Sequence, residues 1–501
     1  MNGQDAWRQH LPPGLDPSDL DLLARRSLPR AWSEHWSCDP DRPVLHGEAS
    51  GWLSAGELDR RTRLVAGRFH RAGMSAGDRI VVSAAASIEL VVAHVAALRL
   101  GLVVVPMNTA YRRREVAHVV ADSEPAAIVT DDPERAAWAT EASERPLLAL
   151  GPEVDLPDAD APELDAADAD RDALIGYTSG TTGAPKGAVL SHGNLLASAE
   201  AVRLAWRWTE DDRLLLCLPL FHVHGLCVGL HGTLLAGASA VLQQGFETDA
   251  VLDGLTAHDA TMFFGVPTMY HRLADSPRVG ELERLRLCVA GSAPLAAELF
   301  ERLASSGGQR VLERYGMTET LMNVSNPYDG ERRPGSIGLP LPGCEVRLAG
   351  GEEGEILLRG PNVFSRYWRN DEATAAAFDE DGWFRSGDLG ARDPDGYLRI
   401  LGRSKELIIS GGYNVYPREV EEVLAEHPQV REVAVVGVPS DEWGESVAAF
   451  VVPAESSLDE DALLSYAAEQ LASYKRPRAI HAVTELPRNA LGKVMKHELS
   501  P

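Results

Sequence analysis

The segment YTSGTTGAPKG, residues 177–187, combines residue types that suit phosphate binding. It contains four Ser and Thr side chains, three glycines and one lysine. Glycines let a backbone approach phosphate closely, while hydroxyl and backbone N–H groups donate hydrogen bonds to its oxygens. Lys186 adds a positive charge. The preceding residues LIGY read as a strand, so we expect this phosphate loop to be fixed on a sheet.

The spacing of the phosphate loop differs from that of a Walker loop. The Walker pattern is GxxxxGK followed by Ser or Thr. Here Lys186 follows Pro185 and precedes Gly187. A P-loop kinase or ATPase is therefore excluded.

The phosphate loop resembles the signature of the acyl-adenylate-forming enzymes, which include acyl- and aryl-CoA synthetases, firefly luciferase and peptide-synthetase adenylation domains. Further segments extend the resemblance through the chain, in the same order: LPLFHVHGL (218–226), VAGSAPL (289–295), RYGMTET (314–320), RSGDLGARDPDGYLRILGRSKELIISGGYNVYP (385–417) and PRNALGKVMK (487–496). The resemblance thus covers most of the chain.

The resemblance implies a two-step reaction with ATP and CoA as co-substrates and Mg²⁺ as cofactor. Such enzymes join a carboxylate to the α-phosphate of ATP, release pyrophosphate, and then let a thiol displace AMP. Both steps place negative charge on phosphate oxygens, so positioned hydrogen-bond donors and cations are the main catalytic resource.

The resemblance also implies which residues hold ATP. Those expected at the phosphates are Thr178, Ser179, Gly180, Thr181, Thr182, Gly183 and Lys186. Those expected around adenine are Tyr315, Gly316 and the backbone of Gly291, Ser292 and Ala293. Asp388 resembles the aspartate that accepts the ribose hydroxyls, and Arg403 resembles a second ribose contact.

The catalytic residues are implied in the same way. Glu319 resembles the Mg²⁺ ligand, with Thr318 near the α-phosphate. A single carboxylate suffices because Mg²⁺ keeps waters and takes phosphate oxygens. Lys493 resembles the lysine that bridges the carboxylate and the α-phosphate during adenylation, and Lys405 matches the hinge about which the small domain rotates before thioester formation.

Two arginines indicate which acid is activated. Arg272 and Arg314 would suit a second carboxylate, since guanidinium binds carboxylate in a bidentate manner. Structural ion pairs are the alternative for both. The segments LPLFHVHGL, FGVPTMYHR, ERYGMTETLMN and NPYDGERRPGSIGLPLPG resemble malonyl-CoA synthetases, in which the matching arginines hold the free carboxylate of malonate.

That closer resemblance places His222 in the acyl pocket and as a catalytic candidate, with Met317 also expected at the substrate. Ala290 is a departure, because a serine is expected there as a hydrogen-bond donor near the acid. Methylmalonate or another short diacid therefore stays open as a substrate. The other readings are a short- or medium-chain fatty or aryl acyl-CoA synthetase, an adenylation enzyme that loads a separate carrier protein, and a luciferase-like oxygenase.

The elements that must position these residues follow from the hydrophobic pattern. Strand patterns such as RIVVSAA and LVVVPMN alternate with helical ones such as SIELVVAHVAALRLG, which predicts βαβ units and a largely parallel, covered sheet. Ser54 and Glu57 predict a capping box at a helix start. We expect an α/β fold with a large N-terminal domain of βαβ-type sheets (1–402), followed by a small, mobile C-terminal α+β domain (403–501).

Composition limits the partners and the location. The formal net charge of -26 argues against nucleic acid and anionic membranes as partners. Five widely spaced cysteines without a CxxC motif predict reduced, mostly buried thiols. The N-terminus lacks a signal-peptide pattern, and no apolar stretch approaches the about 20 residues of a membrane span, so we expect a cytoplasmic protein. The oligomeric state cannot be read from the sequence.

Overall fold

The structure, a computed structural model, describes residues 3–178, 185–410, 413–440, 443–455, 458–471, 473–489 and 492–500. The chain forms two compact units. The first comprises Met1–Val346 and Leu358–Phe384, and the second comprises Arg347–Leu357 and Arg385–Pro501. The predicted start of the mobile domain, between residues 402 and 403, stays a proposal.

The helices number fourteen in the described chain, twelve of them before residue 385. They are α1 (Gly3–Arg8), α2 (Leu28–Cys38), α3 (Ala55–Arg71), α4 (Ile88–Leu100), α5 (Arg113–Ser123), α6 (Pro133–Ala142), α7 (His192–Ala205), α8 (His231–Leu235), α9 (Thr248–Ala257), α10 (Pro267–Asp275), α11 (Ala297–Ser306), α12 (Asp371–Ala377), α13 (Pro417–Ala425) and α14 (Glu460–Gln470). A π-helix spans His224–Leu230.

The strands before the C-terminal region begin with β1 (Pro43–Gly47), β2 (Gly51–Ser54), β3 (Arg79–Ser83), β4 (Val103–Pro106), β5 (Ala127–Thr130), β6 (Leu148–Leu150), β7 (Asp172–Thr178), β8 (Lys186–Ser191), β9 (Arg213–Leu216) and β10 (Ser239–Leu242). They continue with β11 (Met262–Gly265), β12 (Leu287–Ala290), β13 (Leu312–Met317), β14 (Leu321–Ser325), β15 (Leu339–Pro340), β16 (Glu345–Leu348), β17 (Glu353–Arg359), β18 (Arg366–Tyr367), β19 (Phe384–Arg392) and β20 (Leu398–Arg403).

Two large mixed sheets form the first unit. A nine-stranded sheet has the order β15-β14-β13-β12-β11-β9-β10-β1-β2, and a seven-stranded sheet has the order β18-β8-β7-β4-β3-β5-β6. Both have parallel centres, for example where β3 pairs with β4 and β5. Their antiparallel edges include β13–β14 and β7–β8. The predicted βαβ organisation is confirmed, with antiparallel edge strands added to it.

Local chemistry explains where the helices begin and end. The Ser87 side chain caps α4 by accepting from the Leu90 N–H, and the helix ends at Gly101, whose φ of 81° is left-handed. Ser54 caps α3 by accepting from the Glu57 N–H. The reciprocal half of the predicted capping box is not observed, because the Glu57 carboxylate accepts from Arg60 instead.

The end of the chain carries the small α+β pattern that was expected. Its strands are β21 (Ile408–Ser410), β22 (Tyr413–Val415), β23 (Val430–Ser440), β24 (Gly444–Pro453) and β25 (Ala479–Ala482). Helix α13 has Pro417 in its first turn, as predicted, where the missing N–H costs nothing. Val420 and Leu424 of α13 pack with Leu463 and Ala467 of α14 in a common apolar core.

Within the described ranges, no helix reaches both the length and the apolarity of a membrane span.

Candidate active site

The phosphate loop joins two antiparallel strands. Thr178, the last residue of β7, pairs with Lys186, the first residue of β8. The Thr178 hydroxyl donates to the carbonyl of Lys186 at 3.4 Å. The strand expected before the loop is thus confirmed as β7. The remaining loop residues expected at the phosphates, Ser179, Gly180, Thr181, Thr182 and Gly183, lie outside the described residues.

Helix α5 holds the base of this hairpin. His118 Nε2 donates to the Pro185 carbonyl at 2.9 Å, which assigns the proton to that nitrogen. The Tyr177 hydroxyl donates to Asp122 at 2.5 Å. Burial and then the Asp122 hydrogen bond raise the pKa of Tyr177, so it stays a donor. These contacts could not be predicted from the sequence, because α5 lies more than fifty residues before the loop in the chain.

The segment YGMTET forms the turn between β13 and β14. The pairing shifts register between Tyr315 and Gly316, as a β-bulge does. A Cβ at Gly316 would lie 1.9 Å from the Leu321 carbonyl oxygen, so only glycine fits. A Cβ at Gly176 of β7 would lie 2.5 Å from the Thr318 methyl. Glycine therefore lets the strand before the phosphate loop approach Thr318.

Glu319 links this turn to the phosphate loop through Tyr367. Its carboxylate is buried, with 7% of the residue exposed. The Tyr367 hydroxyl donates to Glu319 Oε1 at 3.0 Å, and Lys186 Nζ lies 5.5 Å from the centroid of the Tyr367 ring. Thr178, Lys186, Thr318 and Glu319, which are far apart in sequence, are thus brought into one region.

Glu319 fits the role of a magnesium ligand. Mg²⁺ in nucleotide sites is held by one or two carboxylates together with phosphate oxygens and waters. In the part of the chain that the structure describes, no group of three or more His, Cys, Asp or Glu is placed to hold a metal without a substrate. A single buried carboxylate beside the phosphate loop matches a cation that arrives with its nucleotide.

The residues expected at adenine lie at strand ends of the nine-stranded sheet. Tyr315 and Gly316 belong to β13, and Gly291 follows β12 directly. Ser292 has a left-handed φ of 69°. The Tyr315 hydroxyl contacts Met317 Sδ at 3.8 Å. Because β12 and β13 pair in parallel, their carboxyl ends meet at one edge of the sheet, where open α/β sheets bind ligands.

Arg314 is a buried cation whose side-on edge lacks a partner. The residue is 3% exposed, and within the described chain Nε and Nη2 have no hydrogen-bond partner. A Cβ at Gly291 would lie 2.3 Å from Arg314 Cζ, so any larger residue there would displace the guanidinium from its present position. Burial lowers the pKa of Arg314 to about 9. Such a group gains from any anion that reaches it.

Two histidines lie beside Arg314. The His224 backbone N–H donates to His222 Nδ1 at 3.2 Å, which leaves the proton of neutral His222 on Nε2. Burial, and then the charge of Arg314, lower the pKa of His222 to about 4 and that of His224 well below its usual value. Ser292 Oγ lies 3.4 Å from His224 Nδ1. Both histidines are therefore neutral at pH 7.

His224 was missed by the sequence reasoning, although the repeated histidine in HVHGL was visible. It begins the π-helix, a conformation that often marks functional sites. In the described structure its Nε2 is buried without a hydrogen-bond partner.

Two expectations for the acid site look different in the structure. Arg272 lies on α10 and is exposed, whereas Arg314 is buried, so their convergence stays a proposal. Ala290 is fully buried on β12 and packs in an apolar cluster with residues such as Phe300 and Leu295. Its side chain therefore contributes to the core.

The second unit brings Asp388 and Arg403 together. They face each other across β19 and β20, and Arg403 Nε lies 2.6 Å from Asp388 Oδ1. Asp388 is 4% exposed, and its backbone N–H donates to Ser386 Oγ at 3.0 Å. The two residues expected at the ribose thus form one ion pair.

Lys493 lies in the same unit, in a turn closed by Asn489. The Lys493 N–H donates to Asn489 Oδ1 at 3.0 Å, and the Asn489 N–H donates to the Lys493 carbonyl at 2.9 Å. The residue is exposed overall, yet desolvation of its ammonium group and the charge of Arg403 lower its pKa. Asp388, Arg403 and Lys493 are therefore within electrostatic reach of one another. Lys405 is exposed in a 3₁₀ turn, Ser404–Glu406.

Known protein families match both parts of the chain. The AMP-binding enzyme family matches residues 32–368, and the AMP-binding enzyme C-terminal domain matches residues 419–493.

Similar proteins are CoA ligases for different acids. A feruloyl-CoA synthase from Amycolatopsis sp is 38% identical, over 91% of this chain and 94% of that protein. A mitochondrial malonate–CoA ligase from Bos taurus is 38% identical, over 84% of this chain and 81% of that protein. A sulfoacetate–CoA ligase from Cupriavidus necator is 36% identical, over 97% of this chain and 98% of that protein.

A similar solved structure is ATP-bound MatB from Rhodopseudomonas palustris. It is 40% identical, covers 94% of this chain and 98% of its own, and superposes with a TM-score of 0.89. The likeness therefore extends over nearly the whole length of both proteins.

Proposed function

The chain belongs to the AMP-binding enzyme family and is an AMP-forming acyl-CoA synthetase, a ligase that uses ATP and CoA, and from this premise we propose that its acid is malonate. In the first step, a malonate carboxylate oxygen attacks the α-phosphorus of ATP and pyrophosphate leaves. In the second step, the CoA thiol attacks the acyl carbon, loses its proton, and AMP leaves. The products are malonyl-CoA, AMP and pyrophosphate.

The observation that carries this proposal is the unpaired edge of Arg314. Nε and Nη2 lie on the same side of a guanidinium, and together they form the fork that binds a carboxylate side-on. In the described structure both are buried without a partner. Malonate has one carboxylate to react and a second one to fill this fork. A monocarboxylate would leave the buried charge unpaired, which costs on the order of 3–5 kcal/mol.

The neighbouring groups support an anionic ligand at this fork. His222 and His224 are neutral, and both can offer a donor without adding a second charge. Gly291 keeps one face of the guanidinium covered by backbone. Malonate and sulfoacetate, the acids named for two similar ligases, each carry a second anionic group, whereas ferulate does not. Methylmalonate would satisfy the same fork.

The remaining roles follow from the family and are part of the proposal. The phosphate loop and Lys186 bind the β- and γ-phosphates, Thr318 lies at the α-phosphate, and Glu319 would hold Mg²⁺. Mg²⁺ would screen the phosphate charge when bound.

The groups of the second unit have parts in both steps. Asp388 and Arg403 bind the ribose. Lys493 stabilises the charge that develops as the acyl–phosphate bond forms, and a rotation at Lys405 then admits CoA. We place the protein in the cytoplasm, with no nucleic acid or membrane as partner.

Acid-dependent exchange of labelled pyrophosphate into ATP tests the acid assignment. The panel contains malonate, methylmalonate, sulfoacetate, acetate, octanoate and ferulate. We expect kcat/KM for malonate to exceed that for acetate by about 100-fold or more, as an unpaired buried charge implies. Equal or better exchange with acetate, octanoate or ferulate would contradict the diacid assignment. Replacing CoA with a pantetheinylated carrier protein in the complete reaction separates a CoA ligase from a carrier-loading enzyme.

A further inference from the structure

We propose that Tyr367 is a positioning residue that orients Glu319 with its hydroxyl and holds the ammonium group of Lys186 over its ring. The inference rests on the proposed roles of Lys186 and Glu319 in binding the phosphates and Mg²⁺. It assigns a role to a residue outside the signature motifs, in the segment FSRYWRN.

Tyr367 contacts both charged groups directly. Its hydroxyl donates to Glu319 Oε1 at 3.0 Å. Lys186 Nζ lies 5.5 Å from the centroid of its ring, within the range of a cation–π interaction. One side chain therefore reaches the lysine of the phosphate loop and the carboxylate of the YGMTET turn at the same time.

The surrounding structure fixes Tyr367 in this position. Strand β18 pairs with β8, so that Tyr367 lies opposite Ala188, two residues after Lys186. The Tyr367 N–H donates to Thr374 Oγ1 at 3.0 Å, and its ring packs edge-on against Phe364, with the centroids 4.8 Å apart. The next N–H, that of Trp368, donates to the Gly187 carbonyl at 2.7 Å. The ring therefore has little freedom to leave the site.

The chemistry of tyrosine suits this position. An ionised carboxylate only accepts hydrogen bonds, so the Tyr367 hydroxyl is the donor to Glu319. A donor fixed on Oε1 sets the plane of the carboxylate and so the direction of its other lone pairs. A hydrogen bond of this kind to an ionised group is stronger than one between neutral groups.

The ring has a separate effect. A cation over the face of an aromatic ring is attracted by the ring. Lys186 Nζ lies over the Tyr367 ring, so the ring holds the ammonium group at the start of β8, next to the phosphate loop.

Two substitutions separate the hydroxyl from the ring. Tyr367→Phe keeps the ring against Lys186 and Phe364 and removes only the donor to Glu319. With ATP saturating and no acid present, so that no turnover occurs, we expect the Kd for Mg²⁺ measured by calorimetry to rise about 10-fold, as the loss of a hydrogen bond to a charged group implies. The Mg²⁺ concentration for half-maximal activity should rise by the same factor. Tyr367→Leu removes the ring as well. We expect the KM for Mg²⁺-saturated ATP to rise a further ~3-fold to 10-fold, because Lys186 then loses its cation–π contact.

The control is Tyr466→Phe, which removes a hydroxyl that donates to Glu426 at 3.3 Å in the second unit. It should leave the Mg²⁺ dependence unchanged. The KM for the acid should also stay the same in Tyr367→Phe, since the Arg314 cluster is not altered. The thermal midpoint of each variant reports whether it is folded.

The proposal is overturned if folded Tyr367→Phe needs no more Mg²⁺ than the wild type, or if the acid KM rises as much as the Mg²⁺ requirement. Equal KM values for ATP in the Phe and Leu variants would overturn the role of the ring. These outcomes do not depend on which acid the enzyme takes, because the assay uses the best acid of the wild type. A failure of the malonate assignment is therefore distinguished by the wild-type acid panel alone.

Discussion

Arg314 and Arg403 have the same side chain in opposite circumstances. Arg314 is buried in the first unit, and in the described chain two of its nitrogens lack any hydrogen-bond partner. Arg403, in the second unit, is about one-third exposed and is 2.6 Å from the carboxylate of Asp388. Two donor nitrogens of Arg314 can therefore bind an anionic ligand, whereas Arg403 already contacts a carboxylate within the protein.

The difference indicates what each site can bind. A buried, unpaired guanidinium favours a negatively charged ligand, because the ligand removes a desolvation cost that the free protein bears. A carboxylate already neutralised by arginine favours a neutral ligand with hydroxyl groups, since its remaining lone pairs accept without a change in net charge. The first description suits the free carboxylate of a diacid, and the second suits a ribose.

The largest effect is expected when the buried charge of Arg314 is removed. Arg314→Gln should lower kcat/KM for malonate by about 100-fold to 1,000-fold, since the second carboxylate loses its charged partner. The KM for ATP should change little. The thermal midpoint of the ligand-free variant should rise, because a buried unpaired charge is gone. Steady-state kinetics with each substrate and thermal unfolding measure these changes.

Arg272→Gln is the matched control for that substitution, because Arg272 is an exposed arginine on α10. A smaller loss with malonate, and no gain in thermal stability, is expected. An unchanged malonate KM in Arg314→Gln would show that the buried arginine has a structural role only.

A second substitution tests the paired site. Asp388→Asn keeps the shape of the side chain and removes the charge that holds Arg403 at 2.6 Å. We expect the KM for ATP to rise about 10-fold to 30-fold, as the loss of a charged hydrogen bond implies, while the KM for malonate stays the same. The opposite pattern, a change for malonate and none for ATP, would reverse the assignment of the two sites.

A separate prediction concerns pH, and it measures stability instead of catalysis. Burial lowers the pKa of His94 to about 3 and those of His10 and His192 to about 4. Unfolded histidines titrate near about 6.5, so between about pH 6.5 and 4 the unfolded chain binds protons that the folded chain does not. Stability should therefore fall as the pH drops through this window, by about 1.4 kcal/mol per pH unit for each such histidine.

Thermal unfolding from pH 8 to pH 5, with and without malonate and ATP, checks this expectation. His222 and His224 lie beside Arg314. A dianion bound there would offset the positive charge that these histidines gain on protonation, so their protonation would cost less free energy than in the empty site. The ligands should therefore reduce the loss of stability on acidification. A midpoint that stays constant from pH 8 to pH 5 would contradict the buried-histidine account.

Much of the fold could be predicted from the sequence. The strands RIVVSAA and LVVVPMN and the helix between them appear as β3, β4 and α4, because continuous apolar runs bounded by turn residues report burial locally. The edge strands β15 and β18, each two residues long, could not be predicted in this way. Such pairing depends on a neighbouring strand and leaves no pattern of its own. The π-helix His224–Leu230 was also missed.

The candidate site also contains residues that could be predicted from the sequence and residues that could not. The phosphate loop could be placed after a strand because its glycines and hydroxyls are contiguous. Tyr367 contacts Glu319, and His118 contacts Pro185. Both residues are far from the phosphate loop in the chain, and the residues around them form no motif that was recognised. Only the folded chain places them there.

The sequence by itself determined the chemistry of this protein: its ordered motifs identify adenylate formation, and the residue types that serve it are local features of the chain. From the sequence alone, Arg272 and Arg314 were equal candidates for binding a second carboxylate, because residue type does not show which side chain is buried. The tertiary structure distinguishes them, because it buries Arg314 against Gly291 and leaves Arg272 exposed. Desolvation and the absence of an internal partner set the demand of a charge for a ligand, and both arise only when distant segments pack together.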